Sequence, residues 1–292
     1  MASHGESLLK RIFSGRAKPA EPAADRFPIL DAYEDTAPSQ QNAINIVPGW
    51  NHAFPPEYGV TAGEAHMHWD PRILWGVEQF GSLEGHSVLE LGPLEGSHTA
   101  LLERLGAGNV DAIEANRLAY LRCLIAKEIY DLKRSRFYLG DFVKWLERDD
   151  HSYDLIVACG VLYHMEDPIK LLELISRRAD AVIIWTHYFD NEAMPAGDPR
   201  RVPFQSQKPP HREHTRTVRF RGLDVTLHER SYYQAWKHSA FCGGPIDLHY
   251  WMEKPQLIAV LRALGYTDVR INHDDPQQVN GPSVTIFAKR ER

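Results

Sequence analysis

Cysteine is scarce in this sequence: Cys123, Cys159 and Cys242 are the only three among 292 residues, far apart and without a Cys-x-x-Cys. That excludes a disulfide-stapled scaffold, gives no zinc pattern and fits a reducing compartment. Long apolar runs are lacking as well. No stretch approaches the roughly 18 apolar residues of a membrane-spanning helix, so no membrane partner is expected. Met1–Arg16 sets His4, Lys10, Arg11 and Arg16 around a short patch, Ser7–Leu9 and Ile12–Phe13, with neither the longer apolar stretch nor the small-residue cleavage site of a secretory leader. The expectation is a cytoplasmic protein. An excess of positive charge is lacking too. A formal net charge of −6 disfavours indiscriminate phosphate contacts, and no DNA is expected as a partner.

What is present is an ordinary globular composition, 43% hydrophobic and 25% charged, in a chain long enough for one generous domain with an insertion. One charge run stands out: Arg200, Arg201, Lys208, Arg212, Arg216, Arg219 and Arg221 against the single acid Glu213. Such a run reads either as a solvated face or as a surface for an anionic substrate or a structured RNA.

Residues 15–26 have linker composition, so 1–26 read as a flexible N-terminal segment. Residues 27–84 read as a helical or lid region. Within it Ile46–Trp69 is rich in aromatics, histidines and turn signals, and Pro71–Phe80 has helical spacing at Ile73, Leu74, Val77 and Phe80. From Ser87 short apolar runs predict buried strands at Ser87–Leu91, Val110–Glu114, Arg136–Leu139, Asp154–Cys159 and Ala181–Thr186. Helical patterns separate them at Ser97–Leu105, Asn116–Leu132, Phe142–Glu147 and Ile169–Arg178, the last with Asp167 as N-cap and Pro168 at its first turn. This core spans 85–189. Residues 190–250 are polar, proline-rich and aromatic and read as an insertion or substrate lid rather than another sheet layer. The pattern resumes over 251–292 with a helix at Lys254–Leu264, capped by Gly265, and strands near Thr267–Asn272 and Ser283–Ala288. The expected fold is α/β: a doubly wound, mostly parallel seven-stranded sheet of Rossmann-like type, with an N-terminal lid, an insertion after strand five and one antiparallel strand in the last pair.

The densest signal is Val88-Leu89-Glu90-Leu91-Gly92-Pro93-Leu94-Glu95-Gly96-Ser97-His98. A buried strand delivers an acid and a glycine at its C-terminal end, where open α/β sheets bind ligands. Gly92 and Gly96 let backbone approach a ligand closely. No Gly-Lys-Ser/Thr follows, which excludes a P-loop. Glu114 ends the second strand, placed to accept ribose hydroxyls, with Ala115 and Asn116 beside it. Asp141 and Phe142 follow the third strand, the acid toward an adenine amino group and the ring against its face. Cys159 and Gly160 end the fourth strand at the same mouth.

These elements resemble the class I S-adenosylmethionine-dependent methyltransferases over residues 85–190 and the final strand pair. The matching stretches are Leu89-Glu90-Leu91-Gly92, Ile113-Glu114-Ala115-Asn116, Gly140-Asp141, and Tyr153-Asp154-Leu155-Ile156 with Leu162-Tyr163-His164. The middle glycine of the family's turn is replaced by Leu94, after Pro93. Within the class, the Leu-Glu-Leu-Gly-Pro turn and the Leu-Tyr-His loop look most similar to the wobble-uridine tRNA methyltransferase and carboxymethyltransferase branch. The resemblance implies S-adenosylmethionine as cofactor, with Glu90 and Gly92 beside the methionine end, Glu114 at the ribose and Asp141 at the adenine. NAD fits less well, because Glu90 would repel a pyrophosphate.

A sulfonium leaving group asks the protein mainly to align the nucleophile and exclude water. A hydroxyl or amine acceptor gains from a general base. His164 and then His187 are the candidates, with Tyr163 next to His164 in the chain. Trp69, Tyr163, Tyr188, Trp236 and Phe241 are candidate substrate contacts. His66-x-His68-Trp69-Asp70 lacks a third spaced ligand, so no metal is expected. The expected reaction is methyl transfer to a small molecule. The alternatives are a tRNA-modifying transferase, an enzyme that attacks the other carbon chain of the sulfonium and releases methylthioadenosine, and a non-catalytic cofactor-binding module.

Overall fold

Strand β1 (Ser87–Leu91) lies between β2 (Asn109–Glu114) and β4 (Leu155–Cys159) and is parallel to both. The computed structural model in which these strands are seen describes residues 33–148, 150–206, 208–233, 243–244 and 246–290. Two compact units divide the chain, Met1–Ala37 and Pro38–Arg292. In the first, the Thr36 hydroxyl donates to the Glu34 carboxylate at 2.7 Å; all that follows concerns the second.

With β3 (Ser135–Leu139), β5 (Ala181–His187), β9 (Asp268–Asp275) and β10 (Ser283–Lys289), the large sheet has the order β3-β2-β1-β4-β5-β10-β9, and β10 is antiparallel to both its neighbours. Alternation explains why these strands lie between two layers. Leu89, Leu91, Ile156, Ala158, Val182, Ile184, Val284 and Ile286 bury one face. Val88, Val110, Leu155, Val157, Ala181, Ile183 and Phe287 bury the other. Successive side chains point to opposite faces, so strands apolar on both parities need helices on both.

The helices are α1 (Gln40–Ile46), α2 (Pro71–Phe80), α3 (Ser97–Arg104), α4 (Arg117–Ile129), α5 (Phe142–Glu147), α6 (Pro168–Arg178) and α7 (Lys254–Ala263). Most start at a side-chain cap: Ser39, Asp70, Asn116, Asp141 and Asp167 each accept backbone N–H groups there. Helix α2 packs so close to β5 that a Cβ on Gly76 would lie 2.7 Å from Ile183. Ile44 and Phe54, with Trp50 and Tyr58 around them, form a small core against Ala126, Ile129 and Tyr130 of the α4 region. The aromatics before the core are therefore largely spent on packing.

One expectation is corrected. The 190–250 insertion does build a sheet layer: β6 (Thr215–Phe220), β7 (Leu223–Ser231) and β8 (Leu248–Met252) form a separate antiparallel sheet. Arg221 and Gly222 both have positive φ, 47° and 87°, the twist a two-residue hairpin requires. Strand β8 is pinned over the loop after β4, with Tyr250 N–H donating to Met165 O and Trp251 Nε1 to Tyr163 O. No helix of the described residues is long and apolar enough to cross a membrane.

Candidate active site

The chain leaves β1 toward β2 and leaves β4 toward β5, in opposite directions along the sheet. The C-terminal ends of these neighbours therefore open the crevice where such sheets bind ligands. Gly92 (φ 67°), Leu94 (φ 55°) and Gly96 (φ 77°) shape the turn from β1 into α3. Leu94, standing where the family pattern has a glycine, adopts the left-handed conformation nonetheless. Its N–H donates to Glu114 Oε2 at 3.0 Å, which holds the turn in place without that glycine.

Gly92 is needed twice over. Its φ disfavours a side chain by about 1–2 kcal/mol, and a Cβ would stand 2.8 Å from Val161 Cγ1. Gly92→Ala is expected to lower the unfolding free energy by at least that backbone cost. Adding Val161→Ala should recover the steric part and leave the backbone part, which urea unfolding of the two variants resolves.

Glu90, Glu95 and Glu114 are all buried beneath this turn. Burial raises the Glu90 carboxyl, which is hydrogen-bonded to the Thr99 hydroxyl and lies 3.9 Å from His98 Nδ1. Burial pushes Glu114 up to about 7, against the backbone N–H groups of Asn116, Leu94 and Ala115 that favour its charge. Glu95 accepts the N–H groups of Asn51 and His52 and pairs with Arg122 Nη1 at 3.2 Å, tying the loop at residues 51–52 to the turn. Pro93 is buried beside them. Ala115 and Asn116 are exposed, and the Asn116 carboxamide is used to cap α4. Asp141 caps α5 at Val143 N–H and lines a hollow of about 380 Å³ with Ile113, Tyr138, Leu139 and Trp145. Phe142 packs against the core beside Tyr138 and Trp145.

Sequence reasoning missed the group Asp70, His98 and Cys159, whose donor atoms all lie within 4.8 Å of one another. It joins the start of α2, the start of α3 and the end of β4. His98 Nε2–H donates to Asp70 Oδ2 at 2.8 Å. Burial acts to lower the His98 pKa, but Asp70, Cys159 and Glu90 outweigh it and hold the imidazole protonated, at about 10. Burial likewise opposes the Asp70 charge, and the His98 and Arg72 hydrogen bonds overcome it, keeping the carboxyl well below its usual range. The spacing would suit a metal ion, but the charges do not: Arg72 Nε contacts both Asp70 oxygens and its guanidinium lies 4.4 Å over the Trp185 ring. Of the His66–Asp70 run only Asp70 joins this group; His66 and His68 pack edge-to-face on each other.

A second cluster lies at the ends of β4 and β5, beneath the insertion sheet. His187 Nδ1–H donates to Gly281 O (2.8 Å) and Pro282 O (3.2 Å), and its ring stacks on Trp251 with an interplanar angle of 4°. Burial lowers it to about 4, so it is neutral at pH 7. With the proton fixed on Nδ1, the Nε2 lone pair carries no hydrogen bond among the described residues. Tyr163 contacts His164, Trp185, His187 and Trp251. His164 is also neutral, lowered to about 3 by burial, but its Nδ1 is hydrogen-bonded to the Tyr232 hydroxyl.

Two expected substrate contacts lie elsewhere. Tyr188 is 1% exposed and its hydroxyl donates to Asp274, because the parity of β5 turns it to the face opposite His187. Trp69 is 54% exposed and covers the Arg104 guanidinium at 4.3 Å, toward the far end of α3. Trp236 and Phe241 lie outside the described residues.

Residues 89–180 match the family model described as a methyltransferase domain. Among solved structures, the N-terminal domain of EvdMO1, crystallised in the presence of SAH and D-fucose, is 20% identical with a TM-score of 0.63, covering 87% of this chain and 95% of that one. The structure of EvdMO1 itself is 19% identical with a TM-score of 0.57, over 86% of this chain and 47% of that one. Magnesium protoporphyrin IX methyltransferase from Synechocystis PCC 6803 with bound SAH is 15% identical with a TM-score of 0.49, over 76% of this chain and 81% of that one. No curated protein matches the sequence. Residues 89–180 thus match a methyltransferase domain, and the sheet order and the glycine turn between β1 and α3 belong to the fold that the EvdMO1 domain shares.

Proposed function

We propose that the chain methylates a hydroxyl of a small-molecule acceptor, with His187 taking the proton. The observation that carries this reading is the fixed tautomer of His187, a neutral imidazole whose Nδ1–H is held by two carbonyls and whose Nε2 is left to accept. Bound S-adenosylmethionine supplies a methyl group on a sulfonium, a leaving group that needs no acid. The acceptor oxygen bonds the methyl carbon as the carbon–sulfur bond breaks, and the hydroxyl proton passes to His187 Nε2. Trp251, Trp185 and Tyr163 wall this imidazole and keep water from it.

The crevice suits the cofactor in shape and charge. Gly92 lets the turn lie directly against Val161 at the end of β4, where a Cβ would stand 2.8 Å from Cγ1. Each Glu114 oxygen accepts one backbone N–H, from Asn116 or Leu94, and keeps a lone pair for a ribose hydroxyl. The hollow beside Asp141 and Tyr138 is placed for the adenine, and Glu90 and the Asp70–His98 pair for the amino acid end. The D-fucose present with the EvdMO1 domain supports a small, hydroxyl-bearing acceptor. The basic run that suggested structured RNA is largely engaged inside the chain. Arg200 pairs with Asp198, Arg201 with Glu213 and Arg219 with Asp224, while Arg216 and Arg221 donate to the carbonyls of Glu166 and Ala263.

The test is to incubate the chain with S-adenosylmethionine, alone and with a filtered small-molecule extract, and identify the nucleoside product by mass spectrometry. S-adenosylhomocysteine formed only with extract is expected. Methylthioadenosine above the spontaneous background with cofactor alone would refute methyl transfer. A pH dependence follows from Glu114, which is the better acceptor when ionised. With a free-protein pKa of about 7, S-adenosylhomocysteine is expected to bind about tenfold more weakly at pH 6 than at pH 8. Calorimetry at the two pH values checks this, and Glu114→Gln should flatten the dependence.

A further inference from the structure

Arg230 lies near the end of β7, paired in register with His249 of β8. Its Nη1 donates to His249 Nε2 at 3.1 Å, and its guanidinium carbon lies 5.0 Å from the Trp251 ring, 5.4 Å from Tyr232 and 5.9 Å from Phe204. Its Nε is buried without a hydrogen-bond partner among the described residues. Arg230 forms no ion pair with any acid among the described residues. The nearest acid along β8, Asp247, accepts from Ser231 Oγ at 2.8 Å, and residues 234–242 contain neither Asp nor Glu. The surrounding imidazoles do not compensate the charge: burial lowers His164, His187 and His249 alike and keeps them neutral.

A guanidinium cannot shed its proton in a protein, and even a half-buried charge is costly until a counter-charge reaches it. The aromatic faces offset part of that cost, but none carries a full negative charge. Trp251 also relates this cation to the reaction centre, since the ring that Arg230 covers is the one stacked on His187. An arginine in this position, with Nε and Nη2 making no hydrogen bond among the described residues, has the fork geometry for an oxyanion.

We propose that Arg230 receives an anionic group of the acceptor, a carboxylate or a phosphate, and so orients the neighbouring hydroxyl toward His187. This rests on the methyl-transfer reading for its role but not for its measurement. The probes are benzoate, phenyl phosphate and the neutral benzamide, titrated by tryptophan fluorescence against the full chain saturated with S-adenosylhomocysteine. At least one anion is expected to bind the wild-type chain about tenfold more tightly than benzamide, a ratio typical of a hydrogen bond to a charged group. Which anion binds more tightly tells carboxylate from phosphate. In R230Q the ratio should fall to about one, whereas R230K, which keeps the charge, should retain a preference for the anion. Equal binding of all three probes to wild type, or an anion preference unchanged in R230Q, would overturn the proposal. If R230Q no longer binds S-adenosylhomocysteine because it does not fold, the wild-type and R230K ratios decide. An intact anion preference in a chain that transfers no methyl group would count against the reaction above and leave this assignment standing.

Discussion

His187→Asn is expected to lower kcat by about 10²- to 10⁴-fold, the usual contribution of a positioned general base. Asparagine is the informative substitution because its Nδ2–H can still donate to Gly281 O, as His187 Nδ1 does, while the Nε2 acceptor is deleted. Cofactor affinity should stay within about twofold, since the crevice acids Glu90 and Glu114 belong to other strands. His164→Asn is the paired measurement. His164 Nδ1 is bound to Tyr232, and the ring packs against Tyr163, so its loss should cost less than about tenfold. The larger loss falling on His164 would reassign the base. The pH profile supplies an independent readout. The wild-type kcat should be flat through neutrality and fall only as pH approaches about 4, where His187 becomes protonated; the asparagine variant should lack that limb.

The sequence carries the large sheet openly and the site only in part. Val88, Leu89 and Leu91, Ile156–Ala158 and Val182–Ile184 put apolar side chains on both parities, which by itself demands covering layers on both faces. The glycine turn was legible too, although the left-handed Leu94 was not, because what holds it is the N–H bond to Glu114, 20 positions away. The small sheet had a visible period-two signal in Leu223, Val225 and Leu227, with Arg221-Gly222 as its turn, but the dense arginines and prolines around it read as loop. Tyr188 was misplaced because one residue of parity at the end of β5 decides which face a side chain takes. The Asp70–His98 and Arg230–His249 pairs join elements whose adjacency only the tertiary fold decides, and a lone acid or arginine announces no partner in sequence.

Glu95→Ala is expected to lower the unfolding free energy by about 3–5 kcal/mol, the range for removing one partner of a buried ion pair. Glu95 is 1% exposed and is the meeting point of three segments: the N–H groups of Asn51 and His52, the Arg122 guanidinium of α4, and the turn on which it stands. Removing it strands Arg122, whose Nε already lacks a partner, and leaves two backbone donors without their acceptor. His52 supplies no counter-charge for Arg122: burial keeps its imidazole neutral, lowered to about 3, and its ring contacts Ser97 Oγ at 3.0 Å at the start of α3. The same substitution should weaken S-adenosylhomocysteine binding, because the loop at residues 51–52 and the Gly92–Gly96 turn are held to each other through this carboxylate. Urea unfolding of Glu95→Ala, Arg122→Met and the double variant separates the effects. Since neither charge is then left buried alone, the double variant should lose less than the sum of the single losses, by about 1–3 kcal/mol. Strict additivity would mean that Glu95 and Arg122 act independently, and that Glu95 holds the turn through the Asn51 and His52 N–H groups rather than through the ion pair.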